Sequence, residues 1–158
     1  MIVRRHDADQ GLPYVAKLWS MTSKPSRPDN SAAALGRLLY IEDNAVNTLV
    51  VEELVGMRPQ LRLDCAVDGS QGVAMAQALQ PDLILLDLHL PDCSGYEVLQ
   101  RLRAEPRTAH IPCIAVSADN SPEDQRLAKA AGFAAYWTKP LDFKAFLQGL
   151  DAFFAPKP

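Results

Sequence analysis

Long apolar runs are absent from this chain of 158 residues. No segment approaches the roughly 20 apolar residues that a helix needs to cross a bilayer. The opening segment, MIVRRHDADQ, also lacks the apolar core of a secretory signal peptide. We therefore expect a cytoplasmic protein without a membrane partner.

Cysteine is scarce, and only Cys65, Cys93 and Cys113 are present. An odd number of cysteines without metal-like spacing favours free thiols over a disulfide framework or a zinc site. We expect all three to be buried or half-buried.

A net positive charge is absent too, since the formal net charge is −3. This balance argues against nucleic-acid binding as the main task. The charge is uneven, because residues 1–36 carry five basic and three acidic residues, a net of +2 that leaves −5 for the remainder. Together with the stretch SKPSRPDNS, this shift predicts a linker arm over residues 1–36, with a short helix over residues 12–21, before a folded domain over residues 37–155.

Beyond the arm, short apolar runs alternate with helical periods. The predicted strands span residues 38–42, 61–67, 82–87, 111–118 and 133–139. The predicted helices start at or just after Asn44, Ser70, Gly95, Ser121 and Asp142, and end near residues 55, 79, 105, 132 and 154. Five strands that alternate with five helices predict an α/β fold in which helices cover both faces of a parallel sheet.

Apolar spacing also predicts which helix faces are buried. In the first helix it places Val46, Leu49, Val50 and Glu53 on one face. Val51 and Val55 lie beyond this stripe, either as a wider core or as a docking face for a helical, histidine-bearing partner. In the last helix we expect Phe143, Phe146, Leu147 and Leu150 to be buried.

Polar residues follow four of the five predicted strands. They are Glu42 and Asp43 after the first strand, Asp87 after the third, Ser117 after the fourth and Lys139, followed by Pro140, after the fifth. The carboxyl ends of parallel strands meet at one edge, so these groups should converge. Taken alone, Asp87 would fit equally well a residue that only ends its strand. Three carboxylates need a cation to coexist, and oxygen ligands suit Mg²⁺ or Mn²⁺. A lysine and a hydroxyl then complete a phosphate pocket, which predicts phosphoryl transfer to Asp87.

The segments IEDN (41–44), DLHLPDCSG (87–95), SA (117–118) and YWTKP (136–140) resemble the receiver domains of two-component response regulators. The resemblance covers about residues 37–155, and the separation of 22 residues between Ser117 and Lys139 also fits. It implies a flavodoxin-like, doubly wound (βα)5 fold with five parallel strands in the order 2-1-3-4-5.

The resemblance implies a metal site around the phosphoacceptor Asp87. Asp43 would bind Mg²⁺ directly, Glu42 through a water molecule, and His89 through its backbone carbonyl. His89 and Asp119 also occupy the two positions that tune phosphorylation and hydrolysis rates. For His89, a purely steric role stays open.

The resemblance also assigns residues to the phosphoryl group and the switch. Ser117 would donate a hydrogen bond to the phosphoryl group, and Lys139 would form an ion pair with it. Tyr136 corresponds to the aromatic residue that turns inward when Ser117 moves. Pro140 would follow a cis peptide bond.

A signalling role follows from this resemblance. A histidine kinase or a histidine phosphotransfer protein would phosphorylate the domain, which assists its own phosphorylation and dephosphorylation but turns over no separate substrate. EDNAVN (42–47) is similar to receivers of hybrid kinases and phosphorelays, so we expect a single-domain receiver or a terminal receiver of a longer protein. The downstream protein target is unknown, and a homodimer through Phe153 and Phe154 stays open.

Three alternatives remain from the sequence. The receiver would be an interaction module that works without phosphorylation, a haloacid-dehalogenase-like phosphatase that turns over an aspartyl phosphate, or a flavin-binding flavodoxin-like protein. The phosphatase would need a second acid where His89 stands. The flavin protein would need a Ser/Thr-rich phosphate loop where EDNAVN stands.

Overall fold

The computed structural model describes residues 36–156, which form a parallel sheet of five strands with five connecting helices. The strands are β1 (Gly36–Ile41), β2 (Leu61–Ala66), β3 (Leu83–Asp87), β4 (Cys113–Ser117) and β5 (Ala135–Thr138). The helices are α1 (Ala45–Gly56), α2 (Gly69–Leu79), α3 (Gly95–Ala104), α4 (Pro122–Ala131) and α5 (Phe143–Phe153). The strand order is β2-β1-β3-β4-β5, which confirms the predicted doubly wound, flavodoxin-like architecture.

The predicted arm lies outside the described residues except for Gly36, where β1 begins. The predicted helix over residues 12–21 is likewise outside them. Within residues 36–156, every helix is too short or too polar to span a membrane.

The central strand β3 explains why its sequence is a continuous apolar run. Its side chains alternate between two buried clusters, with Ile84 and Leu86 in one and Leu83 and Leu85 in the other. Each cluster is covered by helices, so every position of the strand must be apolar. Burial of each such side chain contributes about 1.5–3 kcal/mol, so β3 holds Asp87, at its carboxyl end, on a rigid base.

Side-chain caps start the helices, and most were predictable. Asn44 accepts hydrogen bonds from the N–H groups of Val46 and Asn47 at the start of α1, and Ser121 caps α4. The helix expected to start at Ser70, with that residue as its cap, starts instead at Gly69 and is capped by Asp68. Aspartate caps a helix as well as serine does, and the Ser70 hydroxyl instead donates to Asp92 at 3.0 Å.

The predicted buried face of α1 was wrong. Val51, Leu54 and Val55 are buried, whereas 69% of Val46 and 55% of Leu49 is exposed. Apolar residues occupy most of the circumference of this helix, so their spacing is compatible with more than one buried face. Packing on the sheet determines which face is buried. Val51 and Val55 therefore belong to the core and cannot form a docking face.

One residue of the last helix also departs from the prediction. Phe146 and Leu150 are buried, but Phe143 is 57% exposed, because it lies in the first turn of α5, beside a surface pocket. Trp137 packs edge-to-face on Phe146, with ring centroids 5.3 Å apart. This contact joins β5 to α5.

Candidate functional site

Three carboxylates meet at the carboxyl edge of the sheet. Glu42 and Asp43 follow β1, and Asp87 ends the adjacent strand β3. One oxygen of each carboxylate lies within 4.8 Å of the other two. Glu42 and Asp87 are buried and Asp43 is exposed, so the cluster has two shielded carboxylates and one that faces solvent.

Lys139 reaches this cluster from the far edge of the sheet. It follows β5, and its Nζ lies 2.6 Å from Glu42 Oε2 and 3.3 Å from Asp87 Oδ2. Its backbone N–H donates to the Ser117 carbonyl at 2.8 Å, and the Lys139–Pro140 peptide bond is cis. The lysine therefore places a positive charge between two of the three carboxylates.

Ser117 is the last residue of β4 and is fully buried. It comes one position after Val116, which pairs with Asp87 in the sheet register. Its Oγ accepts a hydrogen bond from the Asp119 N–H at 3.2 Å. The hydroxyl thus stands at the strand end beside the phosphoacceptor candidate and contacts the loop that follows β4.

The pKa values of the two buried carboxyl groups move in opposite directions. Burial raises the pKa of Glu42, but the hydrogen bond and charge of Lys139, with the Tyr40 hydroxyl, outweigh it and leave that pKa below its usual range. Burial and the nearby Glu42 raise the pKa of Asp87 against the opposing His89 N–H and Lys139, and the net pKa is raised. Glu42 is therefore the main partner of the lysine, and Asp87 is the more basic of the two carboxylates.

Tyr40 is a part of this site that the motif-based prediction missed. It is fully buried, and its hydroxyl donates to Glu42 Oε2 at 2.9 Å. The other oxygen, Oε1, accepts from the Asn44 N–H at 3.2 Å and from Asn47 Nδ2 at 3.4 Å. The signal was present in the sequence, because residues 40 and 42 point to the same side of a strand.

The two predicted rate-tuning residues contact each other. His89 Nε2 lies 2.7 Å from Asp119 Oδ2, and both side chains are exposed. The His89 N–H donates to Asp87 Oδ1 at 3.0 Å, and the Tyr136 hydroxyl donates to the Asp119 carbonyl. The loops after β3 and β4 are therefore joined beside Asp87, and the predicted switch residue Tyr136 contacts the same junction.

The loop after β3 is held in a fixed conformation. His89 pairs with Ser94 in an antiparallel bridge, and the Gly95 N–H donates to the Leu88 carbonyl at 2.9 Å. A Cβ atom at Gly95 would lie 2.6 Å from the Asp87 carbonyl oxygen, so the close approach requires glycine.

Asp92 ties this loop to the start of α2. Its carboxylate accepts from the N–H groups of Gly69 and Ser70 at 2.8 and 2.9 Å. These hydrogen bonds hold the pKa of Asp92 well below its usual range. The anchor was not predicted, because nothing in the sequence indicates that residue 92 reaches residues 69 and 70.

An apolar pocket of about 170 Å³ opens beside Lys139. It is lined by Tyr40, Asn47, Val50, Lys139, Pro140, Leu141 and Phe143. It therefore borders both α1 and the connection from β5 to α5. The exposed side chains of Val46 and Leu49 lie on the same helix, α1.

The donor set fits a hard divalent cation. Glu42, Asp43 and Asp87 offer only carboxylate oxygens, and Mg²⁺ and Mn²⁺ prefer such ligands. The exposed Asp43 leaves room for the water ligands that Mg²⁺ usually keeps. The predicted ligand role of the His89 carbonyl stays a prediction.

Comparisons with known proteins agree with this geometry. The family model of the response regulator receiver domain matches residues 38–151. The DNA-binding dual master transcriptional regulator RpaA of Synechocystis sp. is 39% identical over 119 residues, which cover 73% of this chain and 48% of RpaA. The polar-differentiation response regulator DivK of Brucella anthropi is 29% identical over 116 residues, which cover 73% of this chain and 94% of DivK. The chain thus spans about half the length of RpaA and nearly all of DivK.

Solved structures give the same result. One similar structure is the receiver domain of the sensor histidine kinase PA1611 from Pseudomonas aeruginosa, which has a magnesium ion coordinated in its active site cleft. It is 29% identical, with a TM-score of 0.69, and the match covers 77% of this chain and 98% of that one. The chemotaxis response regulator CheY4 of Vibrio cholerae shares the fold at 23% identity, with a TM-score of 0.69, and covers 75% of this chain and 98% of that one. This chain therefore belongs to the response regulator receiver domain family.

Proposed function

We propose that this chain is a phosphoacceptor in two-component or phosphorelay signalling and that Asp87 receives the phosphoryl group in a Mg²⁺-dependent reaction. The observation that carries the proposal is the position of Lys139, whose Nζ contacts both Glu42 and Asp87 within the carboxylate cluster. Asp87 supplies the nucleophile of a phosphoryl site, and the half-buried Lys139 supplies the counter-charge.

The donor is a phosphohistidine on a histidine kinase or a phosphotransfer protein. An Oδ atom of Asp87 attacks the phosphorus, the P–O bond forms, and the P–N bond breaks with its electron pair returning to the imidazole. Lys139 then pairs with a phosphoryl oxygen, and the Ser117 hydroxyl donates to another. Hydrolysis returns the phosphorylated domain to its unmodified form. A water oxygen forms the new bond to phosphorus, the bond between phosphorus and the Asp87 oxygen breaks, and inorganic phosphate and the Asp87 carboxylate are released.

The residues that would hold Mg²⁺, or Mn²⁺, are Asp43, Asp87, Glu42 through water, and the His89 carbonyl. When bound, the ion neutralises negative charge that would otherwise accumulate between the phosphoryl group and the carboxylates. The three clustered carboxylates support this assignment, and so does the magnesium ion in the related PA1611 receiver.

The switch would run through the loop after β4. Ser117 Oγ accepts a hydrogen bond from the Asp119 N–H, and the Asp119 carbonyl accepts one from the Tyr136 hydroxyl. A movement of Ser117 toward the phosphoryl group would therefore displace Asp119 and release Tyr136. The surface around β5 and α4 would change and be recognised by a downstream protein.

The phosphodonor would dock beside the site rather than on the core face of α1. Val46, Leu49 and Phe143 are exposed apolar side chains on the helices that border the Lys139 pocket. Val51 and Val55 are buried and take no part.

The first prediction concerns the phosphoryl adduct. Acetyl phosphate with Mg²⁺ should add one phosphoryl group, about 80 Da, and intact-protein mass spectrometry measures it. Asp87→Asn should abolish the adduct, whereas Asp64→Asn, the same change on β2, should retain it. A wild-type chain that stays unmodified, or an Asp87→Asn chain that is modified equally, would contradict the proposed function and favour an interaction module that works without phosphorylation.

A further inference from the structure

Tyr40 places a hydroxyl group beneath the site in an otherwise apolar layer. It is fully buried in a cluster with Leu38, Val51 and Leu85. Its hydroxyl donates to Glu42 Oε2 at 2.9 Å. A buried tyrosine hydroxyl normally needs such a partner, and this one is a charged oxygen at the centre of the site.

Glu42 Oε2 is shared by two donors. Lys139 Nζ approaches it to 2.6 Å, closer than the 3.3 Å between the same Nζ and Asp87 Oδ2. Asn44 and Asn47 hold the other oxygen, Oε1, so rotation of the carboxylate would break those bonds. The lysine is therefore bound mainly to Glu42 before any phosphoryl group arrives.

In the proposed reaction, Lys139 turns from Glu42 toward a phosphoryl oxygen on Asp87. With Lys139 in place the Glu42 side chain is only 1% exposed, and the described donors to Oε2 are Lys139 and the Tyr40 hydroxyl. A buried carboxylate oxygen without a donor is unfavourable. Tyr40 is the group that remains on that oxygen.

We propose that Tyr40 is a positioning residue whose hydroxyl keeps Glu42 Oε2 hydrogen-bonded when Lys139 transfers to the phosphoryl group on Asp87. The hydroxyl thereby lowers the free-energy cost of moving the Lys139 ammonium group from Glu42 to the phosphoryl group. The inference rests on the proposed function, because it assigns a role within the same phosphoryl site.

The test is Tyr40→Phe, which removes only the hydroxyl from the apolar cluster. Isothermal titration calorimetry measures the affinity for Mg²⁺ alone and then, at saturating Mg²⁺, for beryllium fluoride as a noncovalent phosphoryl mimic. Only the second step requires Lys139 to leave Glu42. We expect Mg²⁺ affinity within about twofold of the wild type and roughly tenfold weaker binding of beryllium fluoride, the effect of one hydrogen bond to a charged group.

Two further variants separate positioning from packing. Tyr96→Phe removes a hydroxyl near Phe133, on the other side of the sheet, and should bind both ligands as the wild type does. In the Glu42→Gln background, Tyr40→Phe should cause no further loss, because the hydroxyl acts through the Glu42 carboxylate. Thermal unfolding of each variant verifies that it is folded.

The outcomes are distinguishable from failure of the proposed function. Unchanged beryllium fluoride binding in Tyr40→Phe overturns the role of Tyr40 alone, as does an equal loss in the Glu42→Gln background. A wild-type chain that binds beryllium fluoride but takes no phosphoryl group from acetyl phosphate contradicts the proposed function and leaves the Tyr40 result to stand on its own. A wild-type chain that binds neither Mg²⁺ nor beryllium fluoride overturns both.

Discussion

Individual carboxyl groups in this domain have different pKa values because their surroundings differ. Glu42 has a donor on every side, including Tyr40 and Lys139, and its ionised form is stabilised. Asp87 is buried and stands beside the negative Glu42, so its ionised form is less stable than in water and its pKa is raised. The same chemical group is thus a strong acid in one position and a weaker acid in the other.

The raised pKa of Asp87 predicts a stability change. The folded state holds the Asp87 proton to higher pH than the unfolded state, so ionisation lowers the free energy of unfolding as the pH rises above about 4. Asp87→Asn removes this loss and should raise the free energy of unfolding at pH 7, without Mg²⁺, by on the order of 1 kcal/mol. Urea unfolding between pH 4 and pH 7 measures it. A variant less stable than the wild type at pH 7 would contradict the argument.

Residue identities were predictable where they follow a strand. Glu42, Asp43, Asp87, Ser117 and Lys139 each come at a strand end, and a parallel sheet brings such ends together. The Tyr40 hydroxyl and the His89–Asp119 contact depend on side-chain reach and rotamers, which a motif does not contain. Tyr40 also looked like an ordinary apolar strand residue.

At the scale of elements, the loop between β3 and α3 is a connection of the site that several hydrogen bonds constrain. Its conformation is fixed by the bridge between His89 and Ser94 and by Asp92, which accepts hydrogen bonds from the start of α2. The loop therefore presents His89 to Asp87 as part of a rigid unit, although it contains no regular secondary structure.

The Asp92 anchor predicts a pH-dependent contribution to stability. Its pKa is lowered in the folded state, so the stabilisation is present above the unfolded pKa of about 4 and is lost as the pH falls through the folded value. Asp92→Asn should lower the melting temperature at pH 7, and the difference from the wild type should shrink as the pH falls below 4. Thermal unfolding across this range measures it, with Asp64→Asn as the charge control. A difference that stays constant with pH would refute the anchor as a charge effect.

The sequence predicted which segments are helices and strands better than it predicted which side of a helix is buried. The alternation of apolar runs and helical periods gave all ten elements that the structure has between residues 36 and 156. The buried side of α1 was misassigned, because Val46, Leu49, Val51, Leu54 and Val55 surround most of the helix. Which of them face the sheet is decided by the angle of packing, a tertiary property.

At the scale of the whole described domain, residues 36–156, two apolar layers enclose one sheet. One layer, which includes Leu54 and Val55 of α1, covers the face that also carries Tyr40. The other, with Leu99 and Leu102 of α3, covers the opposite face. The site edge is thus supported from both sides.

This architecture predicts unequal costs for two identical substitutions in α1. Leu54→Ala opens a cavity in a buried layer and should lower the free energy of unfolding by about 2–5 kcal/mol. Leu49→Ala, on the exposed side, should change it by no more than about 0.5 kcal/mol. Urea denaturation followed by circular dichroism compares them, and equal losses would show that the face assignment is wrong.

The placement of Lys139 has a consequence for assembly of the sheet. Strand β5 lies at the sheet edge and has a neighbour on one side only, with Ser117 paired to Thr138. A shift of that strand by one position would turn its side chains to the opposite face and carry the ammonium group away from the carboxylates. The ion pairs of Lys139 therefore depend on correct strand alignment, since only that arrangement neutralises the acidic edge of the sheet.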